Sequence, residues 1–150
     1  MFNTKGLMSS KRKDWKTPVK LYNSLNQIFK FNFDPCPVNP TFDGLNIEWQ
    51  KSNYCNPPYG KEIKHWVKKA YEESQKNKLV VMLIPARTDT QYWHDYIMKA
   101  NEIWFIKGRL KFDDQKGSAP FPSAIVVFDK ITDNLVVRGV NQTLEEFSYD

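Results

Sequence analysis

The segment Leu79-Val80-Val81-Met82-Leu83-Ile84, ended by Pro85-Ala86-Arg87, decides the fold class of this 150-residue chain. Apolar residues in an unbroken row are typical of a strand that is buried on both faces of a sheet. Apolar residues recur at helical spacing on both sides of this strand, at 62–74 and from residue 91 onward. Helices that alternate with buried strands predict an α/β sheet.

Turn signals and shorter apolar patterns predict the remaining elements. Thr17-Pro18 predicts a helix start, with Thr17 as the N-cap and Pro18 at the first helical position. Thr88 and Gln91 form a capping-box pair for another helix. The last strands are joined by connections too short for helices, so we expect them to be antiparallel at one edge of the sheet. The predicted short strands lie at 31–34, 53–55, 103–106, 124–128 and 135–140.

The most informative motif, Asn56-Pro57-Pro58-Tyr59-Gly60, directly follows the predicted strand at 53–55. Consecutive prolines cannot continue a strand or a helix, so the chain leaves the strand in a stiff, extended turn. In α/β sheets the ligand crevice lies outside the carboxyl ends of the strands. Asp34, Asn56 and Arg87 each end a predicted strand, and we expect them to converge there. The alternative is a plain Pro-Pro turn with a surface tyrosine.

The motif suits the methylation of an amino nitrogen that is conjugated to a flat ring or carbonyl. Such a nitrogen needs acceptors for its two hydrogens rather than a strong base, because the methyl donor is an activated sulfonium. The Asn56 side-chain oxygen and the Pro57 carbonyl provide two acceptors, and the Tyr59 ring provides a stacking surface. Burial strengthens such hydrogen bonds, and orientation supplies most of the acceleration. A base within a duplex would have to be flipped out.

Composition limits the class of protein. The chain is 41% hydrophobic and 15% aromatic, which predicts a folded globule. It has neither a signal-peptide pattern nor an apolar run near the ~18–20 residues of a membrane span. Cys36 and Cys55 form no Cys-x-x-Cys pattern, and His65 and His94 lack metal-ligand spacing, so we expect a reducing compartment and no metal site. We predict an intracellular protein with one domain over 15–150.

The net positive charge is confined to the N-terminal stretch. Residues 1–20 carry a net charge of +5, equal to the formal charge of the whole chain. We predict a flexible basic arm over 1–14 that contacts phosphate groups; a solvated tail is the alternative. The charged residues of this stretch are Lys5, Lys11, Arg12, Lys13, Asp14, Lys16 and Lys20.

Several sequence blocks, in order, resemble the phage-type DNA N6-adenine methyltransferases. They are Trp15-Lys16-Thr17-Pro18, Phe33-Asp34-Pro35-Cys36, Asn56–Gly60, Leu83–Thr90, Gly108–Phe112 and Ala119–Ser123. The resemblance implies a compact, Rossmann-like class I methyltransferase fold with a mostly parallel sheet, antiparallel edge strands and helices on both faces. It also implies S-adenosylmethionine as the cofactor, double-stranded DNA with a flipped base as the substrate, and the cytoplasm of a bacterium or phage-infected cell as the location.

By the family pattern, Asn56, Pro57, Pro58 and Tyr59 are the catalytic residues. The residues expected at the cofactor are Trp15, Thr17, Pro18, Asp34, Pro35 and Cys36, with Asp43 as a candidate for the ribose hydroxyls. The residues expected at nucleic acid are Lys11, Arg12, Lys13, Arg87 and Phe112. Three of these have structural alternatives: a turn residue for Asp43, an ion pair with Asp89 for Arg87, and core packing for Phe112.

Two further functions stay open at the level of the sequence. The same motif serves the methylation of RNA adenine and of glutamine side chains in proteins, although the basic arm favours nucleic acid. A DNA-binding module that keeps the fold without catalysis is the other alternative, because Pro37-Val38-Asn39 replaces the Gly-rich turn of larger methyltransferases.

Overall fold

The computed structural model describes residues 15–130 and 134–149. The predicted arm, with Lys11, Arg12 and Lys13, lies outside the described residues. The helices are α1 (Val19–Phe29), α2 (Ile63–Ser74) and α3 (Gln91–Asp95), with 3-10 turns at Gly44–Asn46 and Ile97–Lys99. The strands are β1 (Ser52–Cys55), β2 (Leu79–Pro85), β3 (Glu102–Ile106), β4 (Ser123–Phe128) and β5 (Val136–Val140). No helix in the described ranges is long and apolar enough to span a membrane.

The five strands form one mixed sheet in the order β1-β2-β4-β3-β5. β1 is parallel to β2, and β3 is parallel to β5. β4 is antiparallel to both of its neighbours, β2 and β3. The sheet is α/β as predicted, but parallel and antiparallel pairings are equally frequent, so a mostly parallel sheet is not confirmed.

The prediction of antiparallel strands at the edge of the sheet is wrong. The antiparallel strand β4 lies in the centre, and the edge strand β5 is parallel to its neighbour. Burial explains this order: every residue of β4 is buried, whereas β5 is largely exposed. A strand that is apolar on both faces is stable only between other strands and under covering layers.

The predicted first strand at 31–34 is reduced to a single bridge. Phe33 pairs in parallel with Asn53 of β1, and the Phe33 carbonyl accepts a hydrogen bond from the Tyr54 N–H at 3.0 Å. The bridge extends the sheet beyond β1 and brings Asp34, the next residue, to the end of that strand.

Both predicted helix starts are displaced. α1 begins at Val19 with Pro18 as its N-cap, and its first N–H donates to Asp113 Oδ2 at 3.0 Å rather than to Thr17. α3 begins at Gln91, and its N-cap is Thr90, whose hydroxyl accepts from the Trp93 N–H at 3.3 Å. Thr17 and Thr88 are therefore not caps, because other acceptors satisfy the first N–H groups of these helices.

The helices and the sheet share a core rich in aromatic rings. The α1 rings of Tyr22 and Phe29 contact those of Tyr54 and Trp104, with centroids 5.2 and 5.9 Å apart. The α2 ring of Tyr71 contacts that of Phe128 in β4 at 6.2 Å. α2 packs on β2 and β4.

The directions of the strands place several connecting loops, which are far apart in the sequence, at the same end of the sheet. β1, β2 and β3 run in one direction, and β4 runs in the other. The residues that follow β1, β2 and β3, and those that precede β4, therefore share one end, which we call the carboxyl end of the sheet. Asn56, Arg87, Lys107 and Phe121 lie in these connections.

At the opposite end, which we call the amino end of the sheet, a buried carboxylate forms ion pairs with three lysines. Glu73 is 1% exposed and forms ion pairs with Lys69, Lys76 and Lys78, with N–O distances of 3.2, 3.0 and 2.7 Å. Burial alone would raise the pKa of Glu73, but hydrogen bonds from these lysines and from the Trp49 N–H lower it to about 2. The carboxylate thus remains ionised and fixes the end of α2.

Gly44 sets the path of the Asp34–Pro37 turn. A Cβ atom at Gly44 would lie 2.0 Å from the Pro35 carbonyl oxygen and 3.0 Å from the Trp66 ring. We expect Gly44→Ala to lower the free energy of unfolding by about 1–3 kcal/mol, because the turn has to move to relieve the clash. Urea unfolding checks this.

Gly139→Ala is the matched control, because its Cβ would meet no atom within 4 Å. Equal losses in the two variants would contradict the packing argument.

Candidate active site

Two cavities open at the carboxyl end of the sheet on either side of the Asn56–Tyr59 motif. Cavity A, of about 570 Å³, is lined by Asn56 and Pro58 together with Thr17, Asp34, Cys36 and Tyr54. Cavity B, of about 560 Å³, is lined by Tyr59 together with Arg87, Thr90, Tyr92 and Phe121. Trp15 lines both cavities and forms a wall between them.

The orientation of the Asn56 side-chain amide is fixed by its hydrogen bonds. Its Nδ2 donates to the Trp15 carbonyl and, at 3.1 Å, to Thr17 Oγ1. A carbonyl oxygen only accepts, so the amide nitrogen must face Trp15. The Asn56 Oδ1 then points away and accepts from the Tyr59 hydroxyl at 2.8 Å. A second lone pair of Oδ1 is left for a further donor.

The Pro57 carbonyl is the second acceptor that the motif offers, although Pro57 is not among the residues that line cavity A or cavity B. Pro57 itself is buried by the turn, and its carbonyl accepts no hydrogen bond from any residue that the structure describes. Because the two prolines fix the local φ angles, the direction of this carbonyl is set by the motif. Two acceptors on neighbouring residues are what an amino group with two hydrogens requires.

Thr17 and Tyr54 extend the Asn56 network into the core. The Thr17 and Tyr54 hydroxyl oxygens are 2.6 Å apart. Tyr54 is 3% exposed, and burial raises its pKa well above the usual range. Its hydroxyl is therefore a neutral partner that holds Thr17 against the Asn56 amide.

Aromatic rings enclose the motif tyrosine. Tyr59 is only 5% exposed, and its ring is nearly parallel to that of Trp15, with centroids 6.4 Å apart. Phe121 contacts the same pair edge-on, at 5.6 Å from Tyr59 and 5.1 Å from Trp15. The indole thus covers one side of the Tyr59 ring and borders cavity B.

Asp34 places a partly buried carboxylate in the wall of cavity A. Burial raises the pKa of Asp34 to about 6, and the hydrogen bond that it accepts from the Cys36 N–H offsets only part of this effect. Across the described ranges, Asp34 forms no ion pair. A half-buried carboxylate of this kind favours a positively charged ligand.

Comparison with known proteins identifies the family. The chain matches the profile of a family described as DNA N-6-adenine-methyltransferase (Dam) over residues 4–141, which is most of its length. The chain belongs to the Dam family. A curated relative of this Dam-family chain, the DNA N-6-adenine-methyltransferase of Haemophilus phage HP1 (strain HP1c1), is 29% identical over 106 residues. The alignment covers 61% of each chain, so this chain spans less than two thirds of the length of that relative. The resemblance to phage-type adenine methyltransferases is confirmed.

The Dam-family structure brings several predicted site residues to the cavities. Trp15, Thr17, Asp34, Cys36, Asn56 and Pro58 line cavity A, and Trp15, Tyr59 and Arg87 line cavity B. Arg87 is exposed, and its guanidinium lies 5.7 Å from the centre of the Phe121 ring. The expected convergence of Asp34, Asn56 and Arg87 at one end of the sheet is confirmed.

Other predicted site residues lie elsewhere. Asp43 accepts hydrogen bonds from the Leu45 N–H at 3.0 Å and from the Asn46 side chain at 2.5 Å, so it is a turn residue outside both cavities. Phe112 is completely buried and contacts Trp15 at 5.3 Å, which makes it a core residue. Pro18 and Pro35 line neither cavity, but each is next in the chain to a residue that lines cavity A.

Some residues that line the cavities of the Dam-family chain were not predicted from the sequence, because they reach the site only through the fold. Tyr54 precedes the motif by two positions, and its aromatic ring in a short strand was the available signal. Asp114 in cavity A and Thr90 and Tyr92 in cavity B carry no local signal. The described residues contain no cluster of three or more side chains suited to a metal ion.

The raised pKa of Asp34 predicts a pH-dependent stability. Its folded value of about 6 lies above the ordinary 3.8, so ionised Asp34 destabilises the folded state above about pH 6 and has no effect below about pH 4. We expect Asp34→Asn to raise the free energy of unfolding by on the order of 1–2 kcal/mol at pH 7–8, allowing for partial exposure. The gain should vanish as the pH falls towards 4. Urea unfolding across this range checks it, and a gain independent of pH would contradict it.

Proposed function

We propose that this protein is an S-adenosylmethionine-dependent methyltransferase that methylates the N6 amino group of adenine in DNA. The observation that carries the proposal is the fixed amide of Asn56, whose side chain lines cavity A while its oxygen bonds to Tyr59 of cavity B. Membership of the Dam family supports the adenine and DNA parts of the proposal.

The proposed fold is a class I methyltransferase arrangement, with one domain over 15–150 and helices on both faces. The strand registers support opposite placement of α1 and α2. Tyr54 and Trp104, which meet α1, share one face of the sheet through the pairs Tyr54–Val81, Val81–Val127 and Trp104–Ile125. Phe128, which meets α2, projects from the other face because side chains alternate along a strand.

Cavity A is the proposed cofactor site. S-adenosylmethionine supplies a methyl group activated by a sulfonium. The Asp34 carboxylate provides the negative charge that suits the cationic groups of this molecule, and Tyr54, Pro58 and Trp15 provide apolar surface.

Cavity B is the proposed pocket of the target adenine. Trp15, Tyr59 and Phe121 form its aromatic wall, which suits a flat base. Asn56 Oδ1, which is bonded to Tyr59 of this cavity, and the Pro57 carbonyl would accept the two hydrogens of the amine and orient its nitrogen. The chain supplies orientation and hydrogen-bond acceptors rather than a strong base.

The proposed substrate is double-stranded DNA with the adenine flipped out of the helix, because an amino group inside a duplex cannot reach such a cavity. Arg87, exposed at the rim of cavity B, suits a phosphate group. The arm with Lys11, Arg12 and Lys13 is joined through Asp14 to Trp15, which lines both cavities. We propose that these residues contact the backbone beside the target base.

Replacement of Asn56 tests the function. We expect Asn56→Ala to lower the rate of methyl transfer to unmethylated duplex DNA by on the order of 10²–10³-fold, because it removes an oriented acceptor. Asn56→Asp keeps an acceptor but puts a carboxylate next to the Trp15 carbonyl, so it should also lose most of the activity. Incorporation of radioactive methyl groups, with the modified base identified as N6-methyladenine, is the measurement.

The same assay with RNA and with a protein extract separates this function from the alternatives. Labelling of RNA or glutamine side chains without labelling of DNA would overturn the proposed substrate. Calorimetry with S-adenosylmethionine identifies a silent binding module, since a chain of that kind gives no heat of cofactor binding.

The Thr17 hydroxyl is a second test of the same site. Thr17→Val keeps the shape of the side chain but leaves the buried Tyr54 hydroxyl and one Asn56 N–H without their partner. We expect the turnover rate at saturating substrate to fall roughly tenfold, as for a loss of about 1.4 kcal/mol in orientation. Thr17→Ser, which keeps the hydroxyl, should retain most of the activity. Equal activity in the two variants would show that the hydroxyl does not position Asn56.

A further inference from the structure

The connection between β3 and β4 carries a cluster of basic residues to the mouth of the candidate site. This connection, Lys107–Pro122, is called here the basic loop. It starts where β3 ends and finishes where β4 begins, so both of its ends lie at the carboxyl end of the sheet. Asp114 and Phe121 of the loop line cavities A and B, respectively.

The backbone of the basic loop is anchored on both sides. The Leu110 carbonyl accepts from the Ala119 N–H at 2.7 Å, and the Lys16 carbonyl accepts from the Asp113 N–H at 3.0 Å. The Gln142 side chain donates to the Lys107 and Arg109 carbonyls at 3.2 and 3.3 Å. The shape of the loop is therefore defined by one hydrogen bond across the loop and by others to the rest of the fold.

Burial alternates along the first part of the loop. Leu110 and Phe112 are 1% and 0% exposed, whereas Arg109 and Lys111 are exposed. This is the pattern of an extended segment with one face in the core and one in solvent. Residues two apart in such a segment project on the same side at a separation of about 6.6 Å, which is close to the spacing of successive phosphates along a DNA strand.

The cations of the loop have no carboxylate partner among the described residues. Lys107, Arg109, Lys111 and Lys116 form no ion pair within the part of the chain that the structure describes. The carboxylates of Asp113 and Asp114 accept instead from the Val19 and Lys16 N–H groups, at 3.0 and 3.3 Å. The loop keeps a formal net charge of +2.

The lysines near α2 are arranged differently. Glu73 pairs with Lys69, Lys76 and Lys78, and Glu48 also contacts Lys76 and Lys78. Each of these three lysines is therefore paired with a carboxylate at the amino end of the sheet, whereas the cations of the basic loop are exposed and have no such partner among the described residues. Such an arrangement suits a polyanion that approaches the carboxyl end.

We propose that Arg109 and Lys111 of the basic loop contact successive phosphates of the DNA strand beside the target adenine. Lys107 and Lys116 flank this contact. Asp113 and Asp114 hold the loop against the Lys16–Val19 segment. The inference rests on the proposed DNA substrate and adds a surface that is separate from both cavities.

The salt dependence of DNA binding tests this contact. Binding of a duplex is measured with wild type and with the double variant Arg109→Ala/Lys111→Ala at several salt concentrations, without cofactor. Loss of two phosphate contacts should reduce the slope of log K against log salt by about 1.8 and weaken binding at low salt. The exchange Arg109→Lys/Lys111→Arg keeps both charges and should keep the slope.

The matched control removes the same charge at the amino end of the sheet. Lys51 precedes β1 and Lys130 follows β4, and both are exposed. Lys51→Ala/Lys130→Ala should leave the slope within about 0.4 of wild type. Urea unfolding verifies that the loop variant is as stable as wild type.

A slope in the loop variant equal to that of the control would overturn the inference. Methylation by wild type separates this result from a failure of the proposed function. If wild type methylates duplex DNA while the slopes are equal, the DNA backbone binds elsewhere and the function stands. In the expected case, the loop variant raises KM for DNA and leaves kcat at saturating DNA within about twofold of wild type.

Discussion

The pairing of β4 between β2 and β3 is the constraint on which the rest of the structure depends. A strand that is antiparallel to both neighbours forces those neighbours to run in the same direction. The ends of β2 and β3 and the start of β4 therefore meet at one end of the sheet, where β1 also ends. Because β4 is buried along its whole length, the hydrophobic effect that fixes its central position also fixes the assembly of the site.

The sequence predicted what depends on local patterns and missed what depends on distant partners. The run at 79–84 and the motif at 56–60 carry their own signals, and both lie where the patterns place them. The central position of β4 was not predictable, because an apolar run does not specify its neighbours. Thr17 is a residue type that commonly caps helices. Its hydroxyl instead forms hydrogen bonds with Tyr54 and Asn56, which come close to it only in the folded chain. Tertiary contacts override local preference here.

The Asn56 amide illustrates how a short motif relies on a segment far away in the sequence. The turn supplies the side chain, but the Trp15 carbonyl decides which atom of the amide faces which way. Trp15 is in turn held by the Phe112–Asp114 part of the basic loop, through ring contacts and through the hydrogen bonds to Lys16. The acceptor geometry is thus a property of three chain segments.

The shared wall formed by Trp15 has a thermodynamic consequence. A ligand in cavity A and a ligand in cavity B would contact the same indole, so a displacement of Trp15 by one ligand would change the surface that the other ligand meets. The two binding free energies are then linked, and linkage is reciprocal: each ligand changes the affinity for the other by the same factor. Trp15 is therefore the side chain through which a ligand in one cavity would alter the affinity for a ligand in the other.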